Sequence, residues 1–579
     1  MPDRFGSRPN ITVDSMPLDE TVVPALVRTI IDTQVHLPDM FVLCFRDTDR
    51  DVLDKAGIDF GSKVVISATA DGDGTLTPVI TGEVTALEQE TDSTGTTTIV
   101  RGYDAAHRLC RGRNTRTFTD TTDTDIVRQV AGAAGVQIGA LSDSGTIHDH
   151  ISQANLSDWD FLRFRANQAG KEMAIVDGKL QWRDPAHNSE APLGFADLYG
   201  TAQPMQLLLG RELIRFRPRV TAAEQVSQVT VRGWDPQQKA AVVGSAHAQP
   251  ASASVGVSPA KLASTFSASD YIVVDRAVSS QSEADSIASA VAEQIASAHA
   301  EAEGVAYGDP RLAPGAAVAI GSVGWPHDGS YVLTSARHVY DEIGYRTEFV
   351  VSGAQERSLF GLASGGATKG HARASGPPIP GLVIGQVTDV NDPDNQFRVK
   401  VKLPWLSDDY ESWWCRVAQP GAGNGRGLVW LPEVGDEVLI GFQHGDIQVP
   451  FVVGGLYNGQ DAPPLVNDLV DGSSGEVKTR ALVSRTKHRV VLSDDSSKSQ
   501  VLISTGDDNM QITLDQSGTA ITINASGKVT ISGSQGVEIR SDADIKLTAS
   551  GKLSLSGSSG VDIDGGPQVK VSGGVIKLN

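Results

Sequence analysis

The sequence predicts a mainly β protein with a few helices, whose last part forms an intertwined trimeric β-helix. Three observations predict this fold class. Glycine is abundant, at 60 of 579 residues, whereas aromatic residues make up only 6%, which is typical of repetitive β structure with many tight turns. About five short alternating strands within residues 381–458 are typical of a small OB-type barrel. From residue 521 the chain repeats every eight residues.

Length and charge exclude several classes of protein. At about 150 residues per domain, a chain of 579 residues and 61.0 kDa has roughly three to four domains. Its net charge of −21 disfavours binding to nucleic acid or to an anionic membrane. Cys44, Cys110 and Cys415 are widely spaced, so we expect reduced cysteines and no metal or cofactor. Neither a signal peptide nor a long apolar run is evident, so we expect synthesis in the cytoplasm.

The first 361 residues combine strands with three helices. Strands are predicted at 63–70, 75–90 and 96–109, with the sequence ADGDG forming the first turn. Helical spacing or capping predicts helices over 122–136, from Ser157 to Gly170, and over 280–304. The stretch 362–380, rich in Gly, Ser, Ala and Pro, predicts a linker.

Seven octads follow one another without a gap from residue 521. Apolar residues occupy the first and third positions of each: Ile521, Ile523, Val529, Ile531, Val537, Ile539, Ile545, Leu547, Leu553, Leu555, Val561, Ile563, Val569 and Val571. The fifth position always holds a small residue: Ala525, Gly533, Ser541, Ala549, Gly557, Gly565 and Gly573. Each octad is therefore predicted to be one short strand and one sharp corner.

A single chain of octads has only two inward side chains per strand and cannot build a core by itself. If three chains wind together, each turn gains three walls and a continuous core. Burial of fourteen apolar side chains at about 1.5–3 kcal/mol each would then stabilise the assembly. We therefore expect an obligate homotrimer with the fourteen apolar residues as its core and the small residues at its corners.

Several long segments resemble the VgrG-type spike proteins of contractile injection systems and contractile phage tails. The segment SDWDFLRFRANQAG and the hairpin after it resemble the helix-hairpin of that family's hub, and residues 307–353 resemble the end of its second barrel. GLVIGQVTDVNDPDNQFRVKVKLPW and GLVWLPEVGDEVLIGFQHGDIQVPFVVGGLYNGQDAPP resemble its neck. RTKHRVVLSDDSSKSQVLIST resembles the start of its needle.

The resemblance implies a hub of two barrel-like parts at 1–361, the linker, and an OB-type neck at 381–460. It also implies a transition into the needle at 461–520 and the needle itself at 521–579. It implies that the trimeric hub joins a sixfold inner tube to a threefold needle, beside baseplate proteins, and that a PAAR-type protein caps the tip. The spike would meet the target envelope only on firing, leaving the particle as the sheath contracts.

Residues with possible chemistry favour structural roles, so we predict no catalytic residue. Ser258 with Lys261, and Ser484 with Lys487, match a serine–lysine spacing but lack companion motifs. His148 and His150 could bind a metal but have no third ligand nearby. The glycines of 421–427 do not open a helix, which disfavours a dinucleotide site. Four tryptophans are expected in the barrel core or at the hub contact: Trp405, Trp413, Trp414 and Trp430.

Two other functions remain open at this point. A spike that hydrolyses cell wall or polysaccharide would need a carboxylate pair in a groove with aromatic platforms. Residues 476–579 contain no Phe, Trp or Tyr, so such a site would lie elsewhere. A receptor-binding tail fibre or adhesin would carry a distinctive terminal domain. The structural spike is the function that the octads and the resemblance favour.

Overall fold

The structure is a computed structural model of the whole chain. It describes residues 8–35, 37–69, 75–93, 95–143, 145–192, 205–250, 252–267, 269–353, 378–465 and 469–577. The predicted turn at 70–74 and most of the predicted linker, up to residue 377, lie outside these residues. The chain forms two compact units, residues 1–458 and 459–579.

The first unit contains twenty-eight strands among its described residues. They are β1 Asn10–Val13, β2 Met16–Pro17, β3 Leu26–Gln34, β4 Met40–Arg46, β5 Lys63–Thr69, β6 Leu76–Asp92, β7 Gly95–Asp104, β8 Asn114–Thr122, β9 Gln137–Leu141, β10 Ile147–Leu156, β11 Glu172–Val176, β12 Lys179–Arg183, β13 Gln206–Leu208, β14 Leu213–Val220, β15 Gln228–Asp235, β16 Ala240–His247, β17 Ala253–Val255, β18 Asp270–Val273, β19 Ala300–Tyr307, β20 Ala317–Gly321, β21 Gly329–Val332, β22 Ser335–Asp341, β23 Gly344–Val351, β24 Leu382–Asp389, β25 Arg398–Lys402, β26 Cys415–Val417, β27 Glu437–Phe442 and β28 Pro450–Gly455.

One large sheet runs through the hub region. Eleven strands hydrogen-bond in the order β14-β19-β23-β22-β3-β4-β7-β6-β5-β1-β2. Strands from distant parts of the sequence meet where β22 pairs antiparallel with β3, so that His338 lies opposite Ile31. Apolar residues alternate along these strands and bury one face, as in β5, where Val64, Ile66 and Ala68 are buried. The prediction of a mainly β chain is confirmed.

Five α-helices occur among the described residues: α1 Val52–Ala56, α2 Asp123–Ala133, α3 Asp158–Ala169, α4 Pro259–Thr265 and α5 Gln281–Ser297. Helix α3 begins and ends as predicted, because Ser157 accepts a hydrogen bond from the Asp160 amide and Gly170 takes a left-handed conformation.

The prediction of one helix over 280–304 is wrong at its end. Helix α5 stops at Ser297, and β19 begins at Ala300. In β19 the small residues Ala300, Ala302 and Ala306 alternate into the core. The strand pairs with both β14 and β23, and this backbone pairing overrides the helix propensity of alanine.

The predicted OB-type barrel is confirmed. Strands β24, β25, β26, β28 and β27 close into a five-stranded barrel. Its buried core includes Val399, Val401, Cys415, Val438 and Ile440. We call this barrel the neck.

The second unit begins as a five-stranded antiparallel meander. Its strands are β29 Thr479–Val483, β30 Arg489–Ser493, β31 Gln500–Ser504, β32 Met510–Asp515 and β33 Ala520–Ala525. Beyond Ala525, the described residues up to 577 contain no strand that pairs with another part of this chain.

Candidate assembly surface

The octads expose their whole apolar pattern in the single chain. All fourteen residues at the first and third positions are between 51% and 75% exposed, the extremes being Val561 and Ile521. Monomeric soluble proteins rarely expose so much contiguous apolar surface, and a surface of this size marks a contact with another molecule. We call residues 521–573 the octad segment.

The small fifth residues lie where the chain bends sharply. A Cβ atom on Gly533 would lie 2.3 Å from the Gly536 carbonyl oxygen, and one on Gly557 would lie 2.2 Å from that of Gly560. No side chain fits at either corner. At Gly565 a Cβ would lie 2.6 Å from the Gln568 carbonyl oxygen. At Ser541 the hydroxyl accepts a hydrogen bond from the Ala543 amide at 3.2 Å.

The meander before the octads exposes a similar apolar pattern, which the sequence analysis missed. Exposed residues on neighbouring strands include Leu492, Ile503, Ile512 and Leu514. Alternating apolar residues in RVVLS, QVLIS and MQITLD were the available signal. The apolar surface therefore begins before residue 521.

The neck contacts the hub region through strand β10. The Gln448 side chain accepts a hydrogen bond from the Ser152 amide at 3.1 Å and donates one to the Ser152 carbonyl at 3.0 Å. The Tyr410 and Ser152 hydroxyl groups are 3.3 Å apart, and the ring of His150 stacks on Trp413 with centroids 5.9 Å apart. Through these contacts, polar side chains of the neck hydrogen-bond to strand β10 and hold the neck against the hub region.

A buried ion pair lies beneath the same strand. Arg165 Nε donates to Asp123 Oδ1 at 2.8 Å, and His148 Nε2 is 3.1 Å from Asp123 Oδ2. Burial alone would raise the pKa of Asp123, but the hydrogen bond with His148 and the charge of Arg165 lower it overall. Burial lowers the pKa of His150. His148 and His150 therefore have separate polar and aromatic partners.

The residues with possible chemistry hold turns and helix ends. Ser258 caps helix α4 by accepting from the Lys261 amide at 3.3 Å. Ser484 accepts from the His488 amide at 3.1 Å and closes the turn between β29 and β30. In the glycine-rich loop, Gly423 and Arg426 exchange two backbone hydrogen bonds.

Only Trp413 of the four tryptophans is found at a predicted position. Trp413 contacts the hub region, and Trp414 lies 5.2 Å from the Lys400 ammonium group. Trp405 and Trp430, however, are 51% and 45% exposed. Both lie in loops between barrel strands rather than in the barrel core.

Within the described ranges, no three His, Cys, Asp or Glu side chains converge as a metal site would require. Among the same residues, no helix has both the length and the apolar character needed to cross a bilayer.

Two family models match segments of the first unit. Residues 383–457 match the type VI secretion system and phage-baseplate injector OB domain. Residues 53–342, half of the chain, match the model described as the Alg8 N-terminal domain.

Curated relatives share short parts of the chain. The spike protein VgrG2a of Pseudomonas aeruginosa is 35% identical over 96 residues, which are 16% of this chain and 11% of that protein. The actin cross-linking toxin VgrG1 of Vibrio cholerae is 24% identical over 185 residues, 29% of this chain and 16% of its own length. This chain thus spans only about a tenth to a sixth of these relatives.

A solved structure extends the likeness to the fold of most of the chain. A chain in the structure of the Francisella PdpA-VgrG complex covers 89% of this chain, with 87% of its own length, at a TM-score of 0.52 and 8% identity. Residues 53–342 therefore belong to the Alg8 N-terminal domain family, the neck matches the injector OB domain, and these similarities together support a VgrG-type spike protein.

Proposed function

We propose that three copies of this chain form the central spike of a phage-tail-like contractile injection system. The observation that carries this proposal is the exposure of all fourteen apolar residues of the octad segment. Their spacing puts them on one side of successive short strands, and two further copies supply the strands that cover them. The core of the assembly is then contributed equally by three identical chains.

In this proposal each part of the chain has a mechanical role. The hub joins the sixfold inner tube and the surrounding baseplate proteins to a threefold needle, and the neck orients the needle. A PAAR-type protein caps the tip. When the sheath contracts, the stiff prism concentrates force on the target envelope and punctures it. The acidic surface, −21 per chain, favours solubility and disfavours adhesion to anionic membranes.

The proposed role is structural and needs no reaction at the spike. The VgrG relatives with spike names support it, and the two serine–lysine pairs take part in a helix cap and a turn. The toxin name of VgrG1 belongs to a protein of which this chain covers 16%. We propose that the chain is made in the cytoplasm, assembles at the baseplate end of the particle, and is delivered outward on contraction.

Co-purification with the inner tube protein of the same particle tests this function. The full-length chain and a variant lacking residues 521–579 are each expressed with tagged tube protein. We expect both to be captured, because the hub forms the tube contact and the needle does not. Failure of the full-length chain to bind tube protein, together with specific binding to a cell-surface receptor, would contradict the spike and favour an adhesin.

A further inference from the structure

This inference rests on the proposed trimer and concerns how its chains align. The octads have a longer period of three. The first and fourth octads, ITINASGK and IKLTASGK, share their last four residues, and the second and fifth, VTISGSQG and LSLSGSSG, carry no charge. The third and sixth, VEIRSDAD and VDIDGGPQ, are both net acidic. The pattern therefore returns every 24 residues.

The backbone follows the same 24-residue period. Gly536 and Gly560 have φ of 146° and 139°, values that side chains rarely allow. The valine that follows each of these glycines lies close to the preceding corner, with its Cγ2 3.5 Å and 3.6 Å from a Cβ placed on Gly533 and Gly557. Corners of the same shape thus recur at every third octad.

Charged residues of the octads follow an eight-residue pattern, in which residues eight positions apart never have the same charge. Three acidic residues have a lysine eight positions later: Glu538 with Lys546, Asp544 with Lys552, and Asp562 with Lys570. No two residues of like charge are eight positions apart within 521–577. The remaining charged residues of the octad segment have uncharged residues eight positions away: Lys528, Arg540, Asp542 and Asp564.

In a three-chain prism an eight-residue offset joins different chains. At any height along the needle, the threefold axis places the same octad of the three chains on the three faces of the prism. Each chain then turns a corner, and its following octad lies on the next face, one strand further along the axis. Each face therefore stacks an octad of one chain on the following octad of a neighbouring chain. Parallel neighbours are about 4.8 Å apart, so residues at equal octad positions lie side by side. Opposite charges placed in this way attract, and like charges repel.

A single-chain solenoid with three octads per turn would instead stack residues 24 positions apart. That arrangement puts Lys528 beside Lys552, Glu538 beside Asp562, Lys546 beside Lys570, and Arg540 beside Asp564. The first three pairs repel, and the fourth attracts. If neighbouring chains were aligned without any stagger, identical octads would lie side by side, and every charged residue would lie next to its own copy. The one-octad stagger between different chains gives three attractive pairs and no repulsive one.

We infer that the pairs Glu538–Lys546, Asp544–Lys552 and Asp562–Lys570 form ion pairs between neighbouring chains and set the one-octad register of the needle. The occupant of the octad surface is a further copy of the same chain. The pairs lie on the outer faces, because the second and eighth positions flank the inward first position. The apolar core stabilises the association of the chains, but a shift of one chain against another by a whole octad would nearly preserve that core. The charged pairs therefore select one alignment.

Cysteine cross-linking in the full-length chain tests the register. In a Cys110→Ser background, which removes the exposed native thiol, one variant carries Glu538→Cys with Lys546→Cys. The matched control carries Thr530→Cys with Lys546→Cys. Neighbouring strands bring the first pair within disulfide range, whereas the control residues, two strands apart, are about 9.6 Å from each other. We expect oxidation to give a covalent trimer with the first variant and none with the control.

The outcomes separate the register from the trimer. A trimeric mass with cross-linking only in the control would overturn the register and leave the proposed spike intact. A trimeric mass without cross-linking in either variant would also overturn it. A monomeric mass for the unmodified chain would overturn the trimer itself, and the register with it.

Charge reversal gives an independent measurement. Lys546→Glu, Lys552→Glu and Lys570→Glu together should lower the urea midpoint of trimer dissociation, and adding Glu538→Lys, Asp544→Lys and Asp562→Lys should restore it. Lys528→Glu, which has no partner eight positions away, should leave it unchanged. Failure of the exchanged variant to recover would overturn the inference.

Discussion

At the scale of single residues, Gln448 holds the neck against the hub region. Its side-chain amide pairs with both backbone groups of Ser152, as a neighbouring strand would. Both hydrogen bonds are partly buried, so their loss leaves an amide and a carbonyl of β10 without protein partners. The contact is specific to the glutamine amide, which has a donor and an acceptor at adjacent atoms.

Replacing this amide should weaken the attachment of the barrel. We expect Gln448→Leu to lower the free energy of unfolding of residues 1–458 by about 1–3 kcal/mol and to speed hydrogen exchange at the Ser152 amide. Asp408→Ala, at an exposed position of the same barrel, is the control. Exchange at Ser152 that is equally slow in wild type and in Gln448→Leu would show that the side chain does not hold β10.

The buried pair of Asp123 and Arg165 predicts a dependence on pH. The folded state lowers the pKa of Asp123, so its contribution is complete above the unfolded pKa of about 3.9 and is lost as pH falls below that value. Asp123→Asn leaves the Arg165 charge uncompensated and should cost about 3–5 kcal/mol near neutral pH.

Urea unfolding at a series of pH values measures this contribution. The difference between wild type and Asp123→Asn should shrink as the solution is acidified below pH of about 4. Asp149→Asn, an exposed neighbour of His148, should change little at any pH. A constant difference between Asp123→Asn and wild type across the acid range would contradict the role of the ion pair.

At the scale of elements, each octad strand of the proposed trimer alternates between core and solvent. We expect Ile531→Asp, at the third position of the second octad, to dissociate the trimer, because it puts three carboxylates near the axis. Ser532→Asp, one residue later, points outward, lies eight positions before Arg540, and should leave the trimer intact. Light scattering on the two variants at equal concentration measures the difference. Equal masses for the two would contradict the strand alternation.

The sequence predicted those elements whose signal is local. Regular alternation predicted the neck barrel, and Ser157 with Gly170 predicted both ends of α3. The end of α5 was not predictable in this way, because the alanines of β19 are good helix formers and become a strand through pairing with β14 and β23. The hub sheet order was not predictable either, since β3 and β22 are about 300 residues apart.

In the candidate site, too, only the residues with a local sequence pattern were predictable. Octad spacing singled out the fourteen apolar residues, which are all exposed in the single chain. The hub contact of the neck was missed, because Gln448 and Ser152 are far apart in sequence and carry no motif. The apolar face of the meander was missed because its strands lack the eight-residue repeat.

At the scale of the whole molecule, the exposed octad segment favours assembly with further copies. The long exposed apolar segment favours partners of complementary shape, and in the proposed trimer two further copies provide them. Because the octads of the proposed trimer build their core only between chains, folding of the needle and trimer formation are then one process. The stability of the needle should then depend on protein concentration.

The solution mass of the purified full-length chain by light scattering tests this claim most directly, with the chain lacking residues 521–579 measured beside it. We predict three times 61.0 kDa for the full-length chain, persisting in mild denaturant, and a weakened trimer after the deletion. A stable full-length monomer would contradict the three-chain needle and favour a single-chain solenoid.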